Sequence, residues 1–529
     1  MFTLNLLALC LLLYPVGLAV YRLFFHPIRG YPGPFINKLT GIPELKHAFK
    51  GDRHLYLFRL HQKYGPVVRY APNKLSFNTA GSVNDIYVGN KPNIQKSEFY
   101  DAFPAIKGFP STHSAIDKKV HGRKRRVLSH AFSTHAIESM DQYIFQNVRI
   151  FCNLLGDPVR DAVQVSSTDE KASASPVKNV SRLASYLTFD VMGELCFGKS
   201  FGMLTHPDIR FVSMLIDSAA HRHSVVGSYT LLDKLHLDKV FFHNLANRRE
   251  RYMAYSRAQA AERTARKDAE ERKDFFYHLL HAKDPETGEG FQMNELWSES
   301  NLLIVAGSDT SSTAIASTLR FLALYPEVRQ KLTSEIRERF SSPNEIRGKA
   351  LSEIPYLRAC IDEAMRLAPP VPGVLPRITL SDSVIDGHFV PAGVEIGTCA
   401  YALHHNPLVY KDAETYRPER WLSEDAPRSA FVPFSVGSRS CLGRSLAYVE
   451  LDMAIARTVF MYDFSTYLEG DCGTGEYGLG YSSILEYPEG SEKLRPGEHK
   501  EDFRTWDHFT CYKDGPLIRF TTVNCDTEN

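Results

Sequence analysis

Hydrophobic residues recur every three or four positions through much of this chain, and short alternating runs interrupt them. The helical spacing predicts helices over His54–Tyr64, Leu183–Leu195 and Asn294–Leu324. The last of these is the longest and would extend on the order of 45 Å at 1.5 Å per residue. Alternation predicts two strands of a hairpin, Val67–Tyr70 and Lys74–Thr79. The whole pattern predicts a mainly α-helical chain with small β-sheets, an α+β fold class.

Three other stretches have weaker patterns. Asn247–Phe276 alternates charged residues at helical spacing, which is typical of a solvated helix. Gly156–Lys178 is polar and rich in Ser and Ala, which favours a surface loop. Gly470–Arg504 is rich in Gly and charge, and we interpret it as an insertion before a terminal hairpin around Asp514-Gly515.

The N-terminus carries one unbroken apolar run, Leu6–Tyr21. With its flanks, Leu4–Phe25, it reaches the length of about 20 residues that a bilayer-spanning helix needs. Arg22, His26 and Arg29 follow the run and no Lys or Arg precedes it, so the positive-inside rule places the rest of the chain in the cytosol. A cleaved signal peptide is the alternative, although a basic n-region and a clear small-residue cleavage site are missing. We expect a membrane anchor over residues 1–25, a proline-rich hinge over 26–36 and a single domain over 37–529.

The composition narrows the class of protein. The chain of 529 residues is 43% hydrophobic and has a formal net charge of +1. It is long enough for a large buried core, and its balanced charge argues against a protein that binds nucleic acid as a whole. The nine cysteines include no C-x-x-C pair, which favours reduced thiols in a cytosolic environment over a disulfide framework.

One segment, F-x-x-G-x-R-x-C-x-G, carries the clearest chemistry: Phe434, Gly437, Arg439, Cys441 and Gly443 occupy its fixed positions. A thiolate at the start of the helix predicted to follow faces unpaired N–H groups and the positive end of the helix dipole, which lowers its pKa. Such a sulfur can ligate a haem iron. Gly437 permits a positive φ, Gly443 leaves room for a flat macrocycle, Phe434 can shield the sulfur, and Arg439 can pair with a haem propionate. A buried free cysteine beside a helix is the alternative interpretation.

This segment resembles the haem-binding loop of the cytochromes P-450, whose pattern it matches at every fixed position. The chain is similar to fungal microsomal members of that family in three further stretches, Pro369–Arg377, Ser129–Ser133 and Asp507–Thr510. The resemblance implies the cytochrome P-450 fold preceded by one transmembrane helix. It also implies haem b as the cofactor, with Cys441 as the iron ligand.

The middle of the longest predicted helix is A-G-S-D-T-S, from Ala306 to Ser311. A glycine followed by Asp, Thr and Ser is costly inside a helix, although the hydroxyls can bond back to the preceding turn. The segment is similar to the A-G-x-D-T-T oxygen-binding segment of the family, with Ser311 in place of the second Thr. The resemblance implies that Ala306 lies beside the haem, and that Asp309 and Thr310 relay protons to bound dioxygen. A glycine kink with Ser and Thr caps is the alternative.

Two separated motifs resemble the buried ion triad of the family. Glu363 and Arg366 form E-x-x-R, which by itself is a weak signal because ion pairs at that spacing are frequent. Arg420 lies in P-E-R-W, where the family pattern has P-E-R-F, so Trp421 is a departure. The resemblance implies that Glu363, Arg366 and Arg420 form a scaffold for the haem loop.

Basic residues concentrate in Asp117–Arg126, where His121 and Arg125 share a helix face. The family has W-x-x-x-R there, contacting a haem propionate, so the resemblance assigns this contact to Arg125 and more weakly to His121. Arg377 is either a further propionate partner or a surface residue on a strand. The other basic residues are expected to face solvent as a docking patch for an acidic reductase, with a plain solvated helix or a nuclear-import run as alternatives.

The resemblance implies a haem-thiolate monooxygenase that oxidises a lipophilic small molecule in fungal secondary metabolism. NADPH electrons would come through a separate reductase, since no G-x-G-x-x-G follows a strand. The anchor would hold the catalytic domain on the cytosolic face of the endoplasmic reticulum, in contact with membrane lipid. The segments Phe99–Ala115 and Pro207–Asn244 would shape the substrate pocket. A haem-thiolate isomerase or dehydratase, or a haem sensor without turnover, are the alternatives; neither needs a proton relay of the Asp309-Thr310 kind.

Overall fold

Helices dominate the computed structural model, which describes residues 13–89, 91–163, 175–265, 274–467 and 503–523. Residues 13–20 are helical and continue into a π-helical turn, Tyr21–Phe25. The helices that follow are α1 Phe35–Leu39, α2 Ile42–Lys50, α3 Arg53–Tyr64, α4 Ala80–Tyr87, α5 Lys118–Ala131, α6 Thr134–Gly156, α7 Val180–Phe197, α8 Phe211–Ser228, α9 Leu231–Lys234, α10 Asp238–Phe241, α11 His243–Ala265, α12 Phe275–His281, α13 Met293–Leu324, α14 Pro326–Arg339, α15 Lys349–Ser352, α16 Pro355–Leu367, α17 Ala400–His404 and α18 Arg444–Met461.

Several predicted segments lie partly outside the described residues. Residues 1–12 of the predicted anchor are among them, as are residues 164–174 and 468–502 of the two predicted loops and residues 266–273 of the charged helix. Across the five described ranges, none of the helices has the length and apolar character needed to cross a membrane.

The strands are short and form four small sheets. They are β1 Val67–Ala71, β2 Lys74–Phe77, β3 Ile94–Lys96, β4 Val177–Asn179, β5 Arg377–Thr379, β6 Ser383–Ile385, β7 His388–Val390, β8 Glu395–Thr398, β9 Tyr462–Thr466, β10 Trp506–His508, β11 Thr510–Tyr512 and β12 Leu517–Thr522. The largest sheet has the order β1-β2-β8-β5-β3, in which only β2 and β8 run parallel. The sheet β4-β12-β9 and the pairs β6-β7 and β10-β11 are antiparallel.

The predicted terminal hairpin around Asp514-Gly515 is wrong. The C-terminal hairpin is β10-β11 and turns at Phe509 instead. Strand β12, which follows Asp514-Gly515, pairs with β9 and β4. An Asp-Gly pair is a local turn signal, whereas the partner of a strand is decided by the tertiary arrangement.

Helix α13 crosses the centre of the molecule and packs against α7, α16 and α18. Gly307 explains how α13 approaches α7, because a Cβ atom there would lie 2.4 Å from the Met192 sulfur. The hydroxyl groups of this buried helix find partners locally: Ser308 donates to the Ile304 carbonyl at 2.7 Å. Thr188 of α7 in turn donates to the Ser308 carbonyl at 2.8 Å. The polar groups that make Ala306–Ser311 a poor helix former therefore find hydrogen-bond partners within the core.

Candidate active site

A cavity of about 340 Å³ lies between α13 and the loop that precedes α18. Ala306 and Thr310 of α13 line it, and so does Cys441 of the loop. The structure therefore brings together two motifs that are far apart in the sequence. Most of the remaining wall is apolar, including Leu128, Phe132, Met192, Leu302, Val305, Met365, Val371, Leu375, Phe434, Leu446 and Phe509.

Cys441 differs from the other described cysteines because it is exposed to this cavity, whereas Cys152, Cys196, Cys360, Cys399 and Cys511 are buried free thiols. Its backbone N–H donates to the Phe434 carbonyl at 2.9 Å, which closes the loop. The Phe434 ring packs 5.1 Å from the Tyr448 ring. Both contacts fix the position of the sulfur relative to α18.

The expected lowering of the Cys441 pKa is wrong for the protein alone. Removal from bulk solvent raises the pKa of the Cys441 thiol, and this effect exceeds the opposing effects of the Gly443 backbone N–H and the charges of Arg125 and Arg444. A helix start by itself therefore does not lower the pKa of this thiol.

The two glycines of the loop have different surroundings. Gly437 has a φ of 73°, and a Cβ atom there would lie 2.0 Å from the Tyr87 carbonyl oxygen. Any side chain at this position would strain the backbone and collide with Tyr87. A Cβ atom at Gly443 would meet the Cys441 sulfur only at 3.8 Å, an ordinary contact. Since protein neighbours leave room for a side chain at Gly443, the space beside it belongs to the cavity.

Asp309 and Thr310 face different spaces. Thr310 lines the main cavity, and its hydroxyl donates to the Ala306 carbonyl at 2.6 Å. Asp309 lines a second, small cavity of about 50 Å³ on another side of α13. Burial raises the pKa of the Asp309 carboxyl group to about 6, although nearby Lys513 and a hydrogen bond from Thr510 oppose the change. The carboxyl group can thus hold a proton near neutral pH, but it does not border the main cavity directly.

Glu363, Arg366 and Arg420 meet in the core, and Trp421 joins them. Arg366 donates to both Glu363 oxygens, each at 2.9 Å. Arg420 donates at 3.0 Å, the Trp421 indole N–H at 2.9 Å and the Arg417 backbone N–H at 3.1 Å. The Glu363 and Arg366 side chains are fully buried. Trp421 is therefore not a neutral departure from the family pattern, because phenylalanine could not supply its hydrogen bond.

Comparison with known proteins identifies the architecture. The model of the family described as cytochrome P-450 matches residues 31–474. The chain belongs to the cytochrome P-450 family. It is 34% identical over 515 residues to the cytochrome P-450 monooxygenase poxM of Penicillium oxalicum, covering 97% of this chain and 93% of that protein. It is also 34% identical over 513 residues to atnE of Emericella nidulans, covering 95% and 93%.

A third relative, the cytochrome P-450 monooxygenase fscF of Fusarium equiseti, is 35% identical over 497 residues, which cover 88% of this chain and 90% of fscF. The mainly helical fold with small sheets fits this family. The protein is an oxidoreductase of the oxygen-incorporating cytochrome P-450 type.

The family implies haem, and the charges beside the cavity fit that group. Lys96, Arg125 and Arg439 line the cavity, and Arg377 borders the cleft that adjoins it. Among the described residues, no carboxylate forms an ion pair with any of these four cations. Burial lowers the pKa of Lys96 well below its usual value, and the charges of Arg377 and Arg439 lower it further. These cations repel one another and lack carboxylate partners in the described part of the chain, so the two propionate groups of a haem would neutralise them.

Lys96, Arg125, Arg377 and Arg439 form a basic cluster beside the cavity, and hydrogen bonds to backbone carbonyls hold its side chains in place. Arg125 donates to the Ser440 carbonyl at 2.7 Å, next to Cys441. Arg439 donates to the carbonyls of Ala115 and Ile116. Burial, with repulsion from Arg377, lowers the pKa of Arg439 to about 10. Sequence reasoning missed Lys96, because a single lysine in a short strand carries no spacing that would mark it.

His121 and Arg377 have defined positions in this cluster. His121 is buried and lines the main cavity. Burial, with repulsion from Arg439, Lys96 and Arg125, lowers the pKa of His121 to about 3, so its ring is neutral. Arg377 is 5% exposed and donates to the Tyr100 hydroxyl at 3.2 Å. The alternative of a surface arginine on a strand is therefore wrong.

The expectation that the other basic residues of α5 face solvent is wrong for Lys124, whereas Arg123 and Arg126 are partly exposed and form ion pairs. Lys124 is 1% exposed and lies 3.1 Å from Glu295 and 3.3 Å from Glu299 of α13. Arg123 also pairs with Glu295, and Arg126 pairs with Asp284 at 2.7 Å. These residues attach α5 to α13 and its preceding loop. The charge of Lys124 is therefore buried, and the charges of Arg123 and Arg126 are partly neutralised by their carboxylate partners.

Proposed function

We propose that this protein is a haem-thiolate monooxygenase that inserts one oxygen atom from dioxygen into a lipophilic small molecule of fungal secondary metabolism. The observation that supports this most directly is that Cys441 lines the same cavity as Ala306 and Thr310 of α13. When bound there, haem supplies the activation of dioxygen. Cys441 provides the iron ligand, and Lys96, Arg125, Arg377 and Arg439 hold the propionates.

The chain's own residues would then control protons and water. Ala306 has a small side chain, which keeps the centre of α13 open to the cavity. The Thr310 hydroxyl is positioned on that wall to donate or accept a hydrogen bond, and Asp309 is a nearby group that can hold a proton. Phe434, packed on Tyr448, keeps water away from the Cys441 sulfur.

The ligand role of Cys441 can be tested by expressing the full chain with ample haem. The reduced protein under carbon monoxide should show the long-wavelength Soret band of thiolate ligation, and Cys441→Ser should abolish it. Cys399→Ser is the matched control, since the buried Cys399 thiol donates to the Pro372 carbonyl at 3.3 Å and a hydroxyl can replace it. An unchanged band in Cys441→Ser would overturn the assignment.

The role of Thr310 has a separate test. In Thr310→Ala the cavity wall loses its hydroxyl while the helix remains. NADPH consumption should continue, whereas product formed per NADPH falls and hydrogen peroxide rises. Unchanged coupling would show that protons arrive without Thr310.

The wall of the cavity supports a lipophilic substrate. Apolar side chains dominate it, and the polar ones include Ser298, Asn301 and His223. Residues 103–113 and α8 contribute to the wall, in line with the expectation that the Phe99–Ala115 and Pro207–Asn244 segments shape the pocket. Terpenoid, polyketide and peptide-derived scaffolds all suit such a site. Type I difference spectra with a panel of these three classes should show binding for at least one. If no compound of the panel changed the spectrum, this would argue against a lipophilic substrate.

NADPH is proposed to act through a separate reductase, because the sequence has no nicotinamide or flavin fingerprint. Since Arg123, Lys124 and Arg126 are paired, we propose Lys118 and Lys119 at the start of α5 as the cations for docking. Adding a fungal reductase should start NADPH-dependent turnover, and Lys119→Glu should slow it more at low salt than at high salt. Turnover without any reductase would refute the proposal.

We also propose an endoplasmic-reticulum location with residues 1–25 as the anchor and the catalytic domain in the cytosol. The apolar run of the sequence supports this, as do the exposed apolar side chains of Phe24, Phe25, Phe35, Ile36 and Ile42. After carbonate washing of microsomes, the full chain should stay in the pellet and a chain lacking residues 1–25 should be released. Release of both would contradict the anchor.

A further inference from the structure

Thr510 lies between Asp309 and the main cavity that Thr310 lines. Its hydroxyl donates to the Asp309 Oδ2 atom at 3.1 Å, and its side chain also lines the main cavity. Of the two cavities, Asp309 lines the small one and not the main one. A proton held by Asp309 therefore has a hydrogen-bonded hydroxyl between it and the space where oxygen chemistry takes place.

We propose that the Thr510 hydroxyl carries protons from Asp309 into the main cavity. This inference rests on the proposed role of Asp309 as a proton-holding group. When Asp309 is protonated, it donates to the Thr510 oxygen, the reverse of the hydrogen bond that Thr510 donates to the carboxylate, and the Thr510 hydroxyl turns to a water in the main cavity. In the step, the carboxyl proton of Asp309 moves to the Thr510 oxygen while the hydroxyl proton of Thr510 leaves to that water. The Asp309 carboxylate is then reprotonated from bulk solvent through water in the small cavity. No bond to carbon breaks, no electrons move, and the protons supplied are those consumed when the second oxygen atom is released as water.

The surroundings of Asp309 fit a group that must be loaded and unloaded. The charged and titratable groups that face it come from α7, α8, α11 and the C-terminal strands: Arg182, Asp217, Tyr252, His508, Cys511, Tyr512, Lys513 and Asp514. Lys513 donates to the Asp309 carbonyl at 3.3 Å and its charge favours the carboxylate, whereas burial and Asp217 favour the protonated form. These opposing effects leave the pKa of Asp309 at about 6, so both forms are accessible near neutral pH.

The turn that carries Thr510 is fixed in place. Phe509 has a φ of 80°, a conformation that is rare for an aromatic residue, and its N–H donates to Asp507 Oδ1 at 3.1 Å. Asp507 accepts a hydrogen bond from Arg53 at 3.4 Å, and His508 lies 2.8 Å from Asp217. These contacts hold the hydroxyl of Thr510 at Asp309.

The test compares Thr510→Val, Thr510→Ser and Asp309→Asn in the full haem-loaded chain. Thr287→Val is the matched control, since the Thr287 hydroxyl donates to a carboxylate of Asp284 at the same 3.1 Å but far from the cavity lining. With the compound that gives the strongest type I spectrum, product per NADPH should fall on the order of tenfold in Thr510→Val and in Asp309→Asn. Thr510→Ser and Thr287→Val should match the unmodified protein.

A second readout does not depend on turnover. The infrared carbonyl stretch of protonated Asp309 is assigned by its loss in Asp309→Asn. In Thr510→Val this band should shift to higher wavenumber and titrate at a higher pH, because the carboxylate has lost a donor, whereas Thr510→Ser should leave it unchanged. If Asp309→Asn stays coupled, the proposed role of Asp309 is wrong. If Asp309→Asn uncouples while Thr510→Val retains full coupling, or if the band does not respond in Thr510→Val, only the role of Thr510 is wrong.

Discussion

Trp421→Phe should destabilise this protein, although phenylalanine is the residue that the family pattern has at this position. Glu363 accepts five hydrogen bonds, and the Trp421 indole N–H provides one of them at 2.9 Å. A hydrogen bond to a charged group contributes about 1.5–3 kcal/mol, and the oxygen it leaves is buried. We therefore expect the free energy of unfolding to fall by about that amount, beyond the loss of apolar area.

Trp297→Phe separates the hydrogen bond from the loss of area. The Trp297 indole N–H is buried and has no partner among the described residues, so the substitution removes apolar area without removing a hydrogen bond. Urea unfolding followed by far-ultraviolet circular dichroism measures both variants with haem bound. The cost at position 421 should exceed the cost at 297 by about 1.5–3 kcal/mol. Equal costs within about 0.5 kcal/mol would refute the view that Trp421 stabilises the Glu363 carboxylate.

Two further predictions concern the loop and its neighbouring helix. Gly437→Ala should lower both thermal stability and haem content, since its φ is 73° and the new Cβ would meet Tyr87. Gly348→Ala, at a φ of 69° and a ψ of −157° with open space around it, should cost about 1–3 kcal/mol of backbone strain and keep haem. Equal losses of stability and haem in the two variants would refute the argument that a Cβ at Gly437 collides with Tyr87. Burial raises the pKa of Glu450 from 4.5 to about 8, so between these values the folded state holds a proton that the unfolded chain has released, and stability falls as pH rises. Glu450→Gln should remove that decline. Urea unfolding should show the variant gaining stability relative to the unmodified protein between pH 5 and pH 8, by about 1.4 kcal/mol per pH unit at most. If the free energies of unfolding of the two proteins changed with pH in the same way, the raised pKa of Glu450 would be contradicted.

The long helices could be predicted because their signal is local. Asn294–Leu324 was expected from periodicity, and α13 begins one residue earlier, at Met293. The hairpin β1-β2 could also be predicted, because alternation on both sides of a turn indicates which strands pair. Such elements depend on residues a few positions apart, which the sequence displays directly.

Ion pairing could not be predicted in this way. The basic run of α5 has the composition of a solvated helix face, but Lys124 is buried against Glu295 and Glu299. The partners come from α13, whose spacing marks it only as a core helix. A run of charge in the sequence shows that partners or solvent must neutralise it, and the tertiary arrangement decides which.

Asp309 and Thr310 are neighbours in the sequence but line different cavities. Consecutive residues on an α-helix are about 100° apart. At this point of α13 that rotation carries Asp309 away from the main cavity, whereas the consecutive residues Thr310 and Ser311 both line it. If Asp309 is the proton-holding group, as proposed, it needs another residue to pass a proton to the main cavity. The residue that meets it, Thr510, lies 201 positions later in a hairpin whose register only the folded chain shows. A helical acid-alcohol pair therefore marks a candidate for the proton-holding group, whereas the residue that joins it to the cavity depends on which strand the fold brings beside it.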